Sequence, residues 1–314
     1  MHAAVLYELG TPRYGEFEDP VPGDGEAVVD VAAAGLNHLD LAKASGGFYL
    51  GPPPLPSVVG SDGVGTVDGR RVFFDEPVAP YGSMAERTLV AADALMPVPD
   101  GVDDTVAAAL GNSGLAAWLA LTWRARLQEG ETVLVLGATG VVGQVAIQAA
   151  RLLGAARVVA AGRDAARLRR CTELGADAVV DLGAAERVPA ALREAAGDGF
   201  DVIVDPLWGA PALAAMRAAA HGGRLVQIGQ AAGTEARLPA PLVRGGMLAI
   251  LGHANFHAPA EVRAKAYADL VGHAAGGKLT VDAERVPLRE VEAAWKRQAQ
   301  GPRHKLVIVP SGEA

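Results

Sequence analysis

Thr132-Val-Leu-Val-Leu-Gly-Ala-Thr-Gly-Val-Val-Gly143 is the stretch that decides how this chain folds. Val133 to Leu136 is a continuous apolar run, the pattern of a strand buried on both faces. The run stops at Gly137, and Gly140 and Gly143 follow at equal intervals. From Val142 the apolar residues move to helical spacing, at Val142, Val145, Ala146, Ala149 and Leu153. The order is strand, glycine turn, helix. Glycines let backbone approach a ligand with no Cβ between. The helix then offers its unpaired amides and positive dipole end to an anion such as a diphosphate. The stretch predicts a dinucleotide site.

Working outward, residues 113–249 keep the same alternation. Strands are predicted at Val158 to Ala161, Ala178 to Val180, Asp201 to Val204, Arg224 to Ile228 and Met247 to Leu251. Helices fall between them: one capped by Asp164 and stopped by Gly175, one from about Glu186, and one running to Ala220. Such alternation implies a parallel sheet with helices on both faces. Residues 1–112 read differently. Short strands at Ala27 to Ala33, Val64 to Val67 and Val72 to Phe74 are broken by Gly and Pro, notably in Gly51-Pro-Pro-Pro-Leu-Pro56, and predict a small, partly open β domain. After about 250 come a helix over Pro259 to Ala275, a strand near Leu279 to Val281, a helix near Leu288 to Gln298 and a last strand at Lys305 to Val309. A late strand of this kind rejoins a sheet begun early, so the first domain is expected to be discontinuous, 1–112 plus 250–314.

Composition bounds the partners. The chain has 314 residues, half of them hydrophobic, and a net charge of −8. That balance argues against nucleic acid or an anionic membrane as partner. No apolar run approaches the ~18 residues of a membrane span. Cys171 is the single cysteine, which excludes a disulfide framework and fits a reducing cytosol. With no basic, apolar leader pattern at Met1 to Gly10, a cytoplasmic location is expected.

The second strand of the alternating region ends Ala160-Ala161-Gly162-Arg163. An NAD site carries an acidic residue at that tip, on the ribose 2′-hydroxyl. Here Arg163 follows at once, and Arg167 lies on the same face of the next helix. Two guanidinium groups favour a 2′-phosphate, so the cofactor is predicted to be NADPH. Asp164 lies beyond the tip and reads as the helix cap.

Metal chemistry is not expected. A catalytic zinc needs three ligands from Cys, His and Asp/Glu, and a structural one usually four cysteines. Cys171 stands alone and there is no His-Glu-x-x-His. No Tyr has a Lys four residues on, no Gly-x-Ser-x-Gly occurs, and the phosphate-loop spacing of Gly272 to Lys278 lacks its Ser/Thr.

Taken together, the residues resemble the zinc-independent quinone oxidoreductase branch of the medium-chain dehydrogenase/reductases. The resemblance rests on Asn37-His-Leu-Asp40, Pro56-Ser-Val-Val-Gly60-Ser-Asp62-Gly-Val-Gly65, Gly69-Arg-Arg-Val72, Gly82-Ser-Met-Ala-Glu86, the Gly137 to Gly143 turn, Leu174-Gly-Ala-Asp177, Phe200 to Asp205 and Gly222 to Gly229. Zinc members carry a cysteine near Asn37 and a histidine at Ser61. The resemblance implies an α/β fold: a Rossmann-type doubly wound parallel sheet over 113–249, plus a discontinuous, β-rich GroES-like substrate domain over 1–112 and 250–314. It also implies a homodimer paired through the cofactor domain, with Met247 to Leu251 as an open edge.

Site roles follow from the same resemblance. Asn37 is placed by the nicotinamide and substrate. Thr139, Gly140, Val141 and Val142 lie under the diphosphate and nicotinamide. Gly162, Arg163 and Arg167 surround the 2′-phosphate. Asp205 and Leu207 come near the ribose, Ile228, Gly229 and Gln230 meet the nicotinamide amide, and His253 borders the site. Departures stand out too. Ala116 replaces a hydroxyl that holds the nicotinamide in relatives, with Asn112 or Ser113 as the compensating group. Ala42 replaces a tyrosine, and Pro206-Leu-Trp208 replaces a Val-Gly-Gly.

Without a Lewis acid, a conjugated acceptor is easier to reduce than an isolated ketone, because its developing charge spreads to a distant oxygen. The expected reaction is therefore NADPH-dependent hydride transfer to a quinone or α,β-unsaturated ketone. Asn37 would stabilise the enolate, and His38, Tyr49 or water would supply the proton. Two alternatives are a carbonyl or imine reductase of a biosynthetic pathway and a non-catalytic NADPH sensor.

Overall fold

The structure, a computed structural model, describes residues 1–310. The chain divides into two compact units, residues 1–113 with 263–314 and residues 114–262.

The first unit opens with strands β1 (His2–Leu6), β2 (Arg13–Glu16) and β3 (Glu26–Gly35), then helix α1 (His38–Ala44). Strands β4 (Ser57–Val58), β5 (Asp62–Val67), β6 (Arg70–Asp75), β7 (Arg87–Ala91) and β8 (Met96–Pro97) follow, then α2 (Asp104–Ala109). Helix α3 (Asn112–Leu119) runs on into the second unit. There come β9 (Thr132–Leu136), α4 (Val141–Leu152), β10 (Arg157–Gly162), α5 (Ala165–Glu173), β11 (Ala178–Asp181), α6 (Val188–Ala196), β12 (Phe200–Asp205), α7 (Gly209–Met216), β13 (Ala219–Gln227), α8 (Ala240–Gly246) and β14 (Ala249–Gly252). Helix α9 (Ala260–Ala275) leads back to the first unit, which closes with β15 (Ala283–Pro287), α10 (Val291–Ala299) and β16 (Lys305–Val309).

The second unit is a parallel sheet in the order β11-β10-β9-β12-β13-β14. This is the doubly wound order, with its switch point between β9 and β12. The apolar run Val133 to Leu136 is fully buried, as the central strand of such a sheet must be. One core joins Leu134, Val159, Phe200, Ile203 and Leu225 to the apolar faces of α6 and α7.

The first unit holds a seven-stranded sheet, β15-β16-β3-β5-β6-β8 with β7 on β3, and a three-stranded sheet, β2-β1-β4. The late strand β16 does return, antiparallel to β3, with Val307 opposite Gly35 and Ile308 opposite Ala34. Leu6, Leu36, Phe74, Met84, Trp295 and Ile308 meet in its core.

Several boundaries differ from the sequence reading, each for a local reason. The chain returns to the first unit at Arg263, not at 250, because β14 pairs with β13 and keeps the following turn with it. The strand expected at Leu279 to Val281 lies instead at Ala283–Pro287, where it pairs in parallel with β16. Helix α7 ends at Met216 rather than Ala220, since the next strand already begins at Ala219 and runs through Gly222 and Gly223 with a register shift. Met247 is not strand. It caps α8 in the left-handed region, so β14 starts only at Ala249. Among the described residues no helix is long and apolar enough to cross a membrane.

Candidate functional site

In the second unit, the residues expected to touch a dinucleotide gather at one edge. Gly137 to Val142 follow β9, Gly162 ends β10 with Arg163 to Arg167 beyond it, Asp205 ends β12 with Leu207 beyond it, Ile228 to Gln230 follow β13, and His253 follows β14. All are carboxyl ends of parallel strands, where open α/β sheets bind ligands. Backbone bonds knit the edge together. Ile228 N donates to Asp205 O at 2.8 Å, His253 N to Gln227 O at 2.9 Å, and Ala232 N to Leu207 O at 2.8 Å.

The turn itself separates two kinds of glycine. A Cβ on Gly143 would lie 2.5 Å from Ala138 Cα and 2.6 Å from Gly137 O, so packing of α4 on the turn requires glycine there. A Cβ on Gly140 would meet only Gly137 O, at an ordinary 3.5 Å. Gly140 is exposed, caps α4 with no side-chain bond, and has φ −87 and ψ 169, which any residue adopts. Nothing in the protein demands glycine at 140. A backbone that must lie bare against a diphosphate does. Thr139 borders the same turn, its Cγ2 lying 2.6 Å from where a Cβ on Gly162 would be. Two buried polar atoms at this edge, Asp205 Oδ2 and His253 Nδ1, have no hydrogen-bond partner among the described residues. These features fit a bound dinucleotide.

Asp164 Oδ1 accepts from Ala166 N at 2.9 Å and Arg167 N at 3.1 Å, so it is the cap of α5. Arg163 is exposed, and Arg167 Nε sits 3.5 Å from Asp164 Oδ2. Cations at a helix N-terminus oppose its dipole. An anion bound there would offset that opposition. Asp205 is fully buried, and Oδ1 accepts from Leu207 N and Trp208 N, both at 2.9 Å. These bonds hold Trp208 at φ 57 and ψ −164, a region costing about 1–3 kcal/mol for a non-glycine residue. The indole packs against the core of this unit. His253 Nε2 donates to Asn255 Oδ1 at 3.0 Å, and burial lowers its pKa to about 4.

In the first unit, sheet register builds a different arrangement. Strand β3 lies between β16 and β5, and its end delivers Asn37. Continuing the β3–β16 register sets Lys305 across from Asn37, while Asp62 begins β5 on the other side. Lys305 Nζ donates to Asn37 Oδ1, to Leu36 O at 2.9 Å and to Ser113 Oγ at 3.3 Å. Asn37 Nδ2 donates to Asp62 Oδ1 at 2.7 Å and Gly35 O at 3.0 Å. Asp62 Oδ2 accepts from Asn112 N at 2.8 Å, an approach that Gly111 permits, since a Cβ there would lie 2.1 Å from that oxygen. Lys305, Asn37 and Asp62 are 3%, 3% and 1% exposed. Burial pushes the Asp62 carboxyl up to about 7 against the pull of Lys305, and burial lowers Lys305.

This corrects the role expected of Asn37. Both Nδ2 hydrogens already have protein acceptors, so Asn37 offers no donor to an enolate. Its main-chain N donates to Asp40 Oδ2 at 2.7 Å as it caps α1. His38 stands exposed on the first turn of α1. Tyr49 is 69% exposed on the loop after that helix, its ring 4.7 Å from that of Phe48. Neither residue enters the buried cluster.

Known proteins share the fold of this chain. Residues 23–100 match the alcohol dehydrogenase GroES-like domain family, and residues 141–269 match the zinc-binding dehydrogenase family. The quinone oxidoreductase of Thermus thermophilus, solved also in complex with NADPH, is 32% identical and superposes with a TM-score of 0.84 over 98% of this chain and 100% of that one. The chain belongs to the quinone oxidoreductase-like medium-chain dehydrogenase/reductases. Within that family, the quinone oxidoreductase of Pongo abelii is 32% identical over 201 residues, 59% of this chain and 57% of that one. A stretch covering 51% of the chain is also 36% identical to a phenolphthiocerol/phthiocerol polyketide synthase of Mycobacterium tuberculosis, of which it spans 8%. The chain thus spans a small part of one of these curated relatives and little more than half of the other.

For a quinone oxidoreductase-like chain, Lys305 and Asp62 are the polar residues that sequence reasoning missed. Asp62 was visible beside Ser61, but nothing local distinguishes Lys305 from any lysine that opens a last strand. A cavity of about 510 Å³ lined by Thr132, Arg157, Asp198 and Asp201 opens at the amino-terminal edge of the parallel sheet, opposite the strand ends that carry Gly140, Asp205 and His253.

Proposed function

We propose that this chain is an NADPH-dependent oxidoreductase that transfers hydride to a quinone or α,β-unsaturated ketone without a metal ion. The observation that carries the reading is Gly140, a glycine with no steric reason to be one, at the switch point of a doubly wound sheet. When bound, NADPH supplies the hydride. Thr139 to Val142 would hold its diphosphate; Gly162, Arg163 and Arg167 its 2′-phosphate; Asp205 and Leu207 the ribose; and Ile228, Gly229, Gln230 and His253 the nicotinamide side. The backbone N–H of Asn112 anchors Asp62, and the side chain of Asn112 or of Ser113 would stand in for the hydroxyl lost at Ala116.

The donor chemistry supports a metal-free reaction. Among the described residues no three His, Cys, Asp or Glu side chains are grouped to hold a metal ion. The ammonium of Lys305 lies beside Asn37, and a second cation there would be repelled by it. The names of the quinone oxidoreductases that this chain resembles support a conjugated acceptor. We also take the β14 edge, with exposed Met247 and Ile250 beside it, as the face that pairs two copies into a homodimer.

The test is steady-state oxidation of NADPH with a panel of quinones and enones, with the metal content of the active protein measured alongside. Turnover by metal-free protein supports the proposal. Tight NADPH binding with no turnover on the whole panel would favour a sensor, and turnover that appears only with zinc would contradict the metal-free step.

A further inference from the structure

Two relays of the same make-up, cation to neutral polar group to carboxylate, share the first unit. In one, Lys305 donates to Asn37, which donates to Asp62. In the other, Lys43 Nζ donates to Ser61 Oγ at 3.1 Å, and Ser61 Oγ donates to Asp40 Oδ1 at 2.6 Å. Asp40 and Ser61 are buried. The relays differ at the cation. Lys305 is enclosed, and its three hydrogen bonds use the full capacity of an ammonium. Lys43 is half-buried on the last turn of α1. Its one hydrogen-bond acceptor among the described residues is Ser61 Oγ, which leaves two N–H bonds for an incoming molecule. Its ammonium lies 5.8 Å from the centroid of the Phe48 ring, and Phe48 adjoins the exposed Tyr49. A fixed cation therefore stands beside an aromatic surface on which a flat conjugated molecule can lie.

We propose that Lys43 is a catalytic residue, the group that hydrogen-bonds the carbonyl oxygen of the acceptor and gives it a proton. The assignment rests on the proposed reduction of a quinone or enone. In that reaction a hydride from reduced nicotinamide forms the C–H bond at the β carbon. The carbon–carbon π pair moves between the α carbon and the carbonyl carbon, and the carbonyl π pair collects on oxygen. The oxygen takes a proton from Lys43 Nζ, leaving a neutral amine that regains a proton from water. The enol formed becomes the saturated ketone, or, from a quinone, the hydroquinone. Asp40 and Ser61 position the ammonium, as buried, pre-aimed polar groups must if they are to act on charge as it develops. Asn37, whose donors are already committed, cannot take this part.

The experiment pairs turnover with a binding readout that needs no cofactor. 4-Nitrophenol serves as a stable mimic of the oxyanion, because its colour reports whether phenol or phenolate is bound. Wild type is expected to prefer the phenolate by about tenfold or more, the worth of one charge-assisted hydrogen bond. Lys43→Met should lose that preference and about a hundredfold in kcat for 1,4-naphthoquinone and 2-cyclohexen-1-one. Lys43→Arg should keep the preference yet stay slow, because a guanidinium does not give up its proton; a merely structural lysine would be rescued in both respects. Active wild type with an equally active Lys43→Met, or a phenolate preference absent from wild type or retained without Lys43, overturns the role of Lys43 alone. Wild type that oxidises NADPH with neither acceptor overturns the reduction, and this proposal with it.

Discussion

The glycine turn of the second unit and the polar cluster of the first are built by opposite means. The turn is local: Gly137 to Gly143 bend a strand into a helix and bare the backbone within a few residues. The cluster is non-local: Asn37, Asp62 and Lys305 meet because β16, β3 and β5 are neighbours in one sheet, and Ser113 joins them from α3. The first leaves neutral backbone dipoles bare at a helix N-terminus. The second buries full charges, which are stable only while each has its partner.

That contrast is tested most severely at Lys305. Lys305→Met strands the Asp62 carboxylate and should cost about 3–5 kcal/mol in urea unfolding. Adding Asp62→Asn should restore part of that loss; two simply additive losses would show that the charges are uncoupled. The turn offers a smaller counterpart. Gly143→Ala drives a Cβ into the Ala138 backbone and should cost about 1–3 kcal/mol by the same assay, and a neutral result would mean that α4 is less tightly seated than its contacts imply.

Cofactor choice comes next. Arg163→Ala and Arg167→Ala should each weaken NADPH binding by about tenfold while leaving NADH unchanged, as fluorescence titration would read. An equal loss for both cofactors would remove the 2′-phosphate from the argument.

The smallest effect sets the two units against each other through pH. Asp62 has a folded pKa raised from 3.8 to about 7. Its contribution to stability is therefore full below 3.8 and is lost as pH rises through about 7. His253 has a folded pKa lowered from 6.5 to about 4, so its contribution is present above 6.5 and lost as pH falls through about 4. In urea unfolding across this window, Asp62→Asn should make stability rise more steeply with pH, and His253→Gln should make it rise less steeply. Slopes that move the other way would contradict the burial assigned to these groups.

The same contrast explains what could be read from the sequence. The strand-end turns were legible because each is a strand end followed by its own turn: Gly140 after β9, Gly162 and Arg163 at the end of β10, Asp205 at the end of β12. The apolar run at Val133 and the cap at Asp164 needed only their neighbours to be recognised. That the Asn37 side chain is fully committed was not legible, since its acceptors Gly35 and Asp62 and its donor Lys305 depend on strand pairing. Lys43 was passed over because a lysine on a short helix is ordinarily a solvated charge, and its distinction, Ser61 beneath it, comes from the bend that leads into β5. The misplaced strand at Leu279 to Val281 has the same origin. An apolar residue there is buried against the core, but the register of β16 chose Ala283 to Pro287.

Gly140→Asp puts the central claim to its most direct test. Aspartate is among the best helix N-caps and meets no close contact at this position, so thermal stability should be unchanged or slightly raised. A carboxylate at the mouth of α4 would, however, face the diphosphate, and the Kd for NADPH should rise at least about a hundredfold. A stable Gly140→Asp protein that still binds NADPH as wild type does would show that the dinucleotide does not dock at this turn.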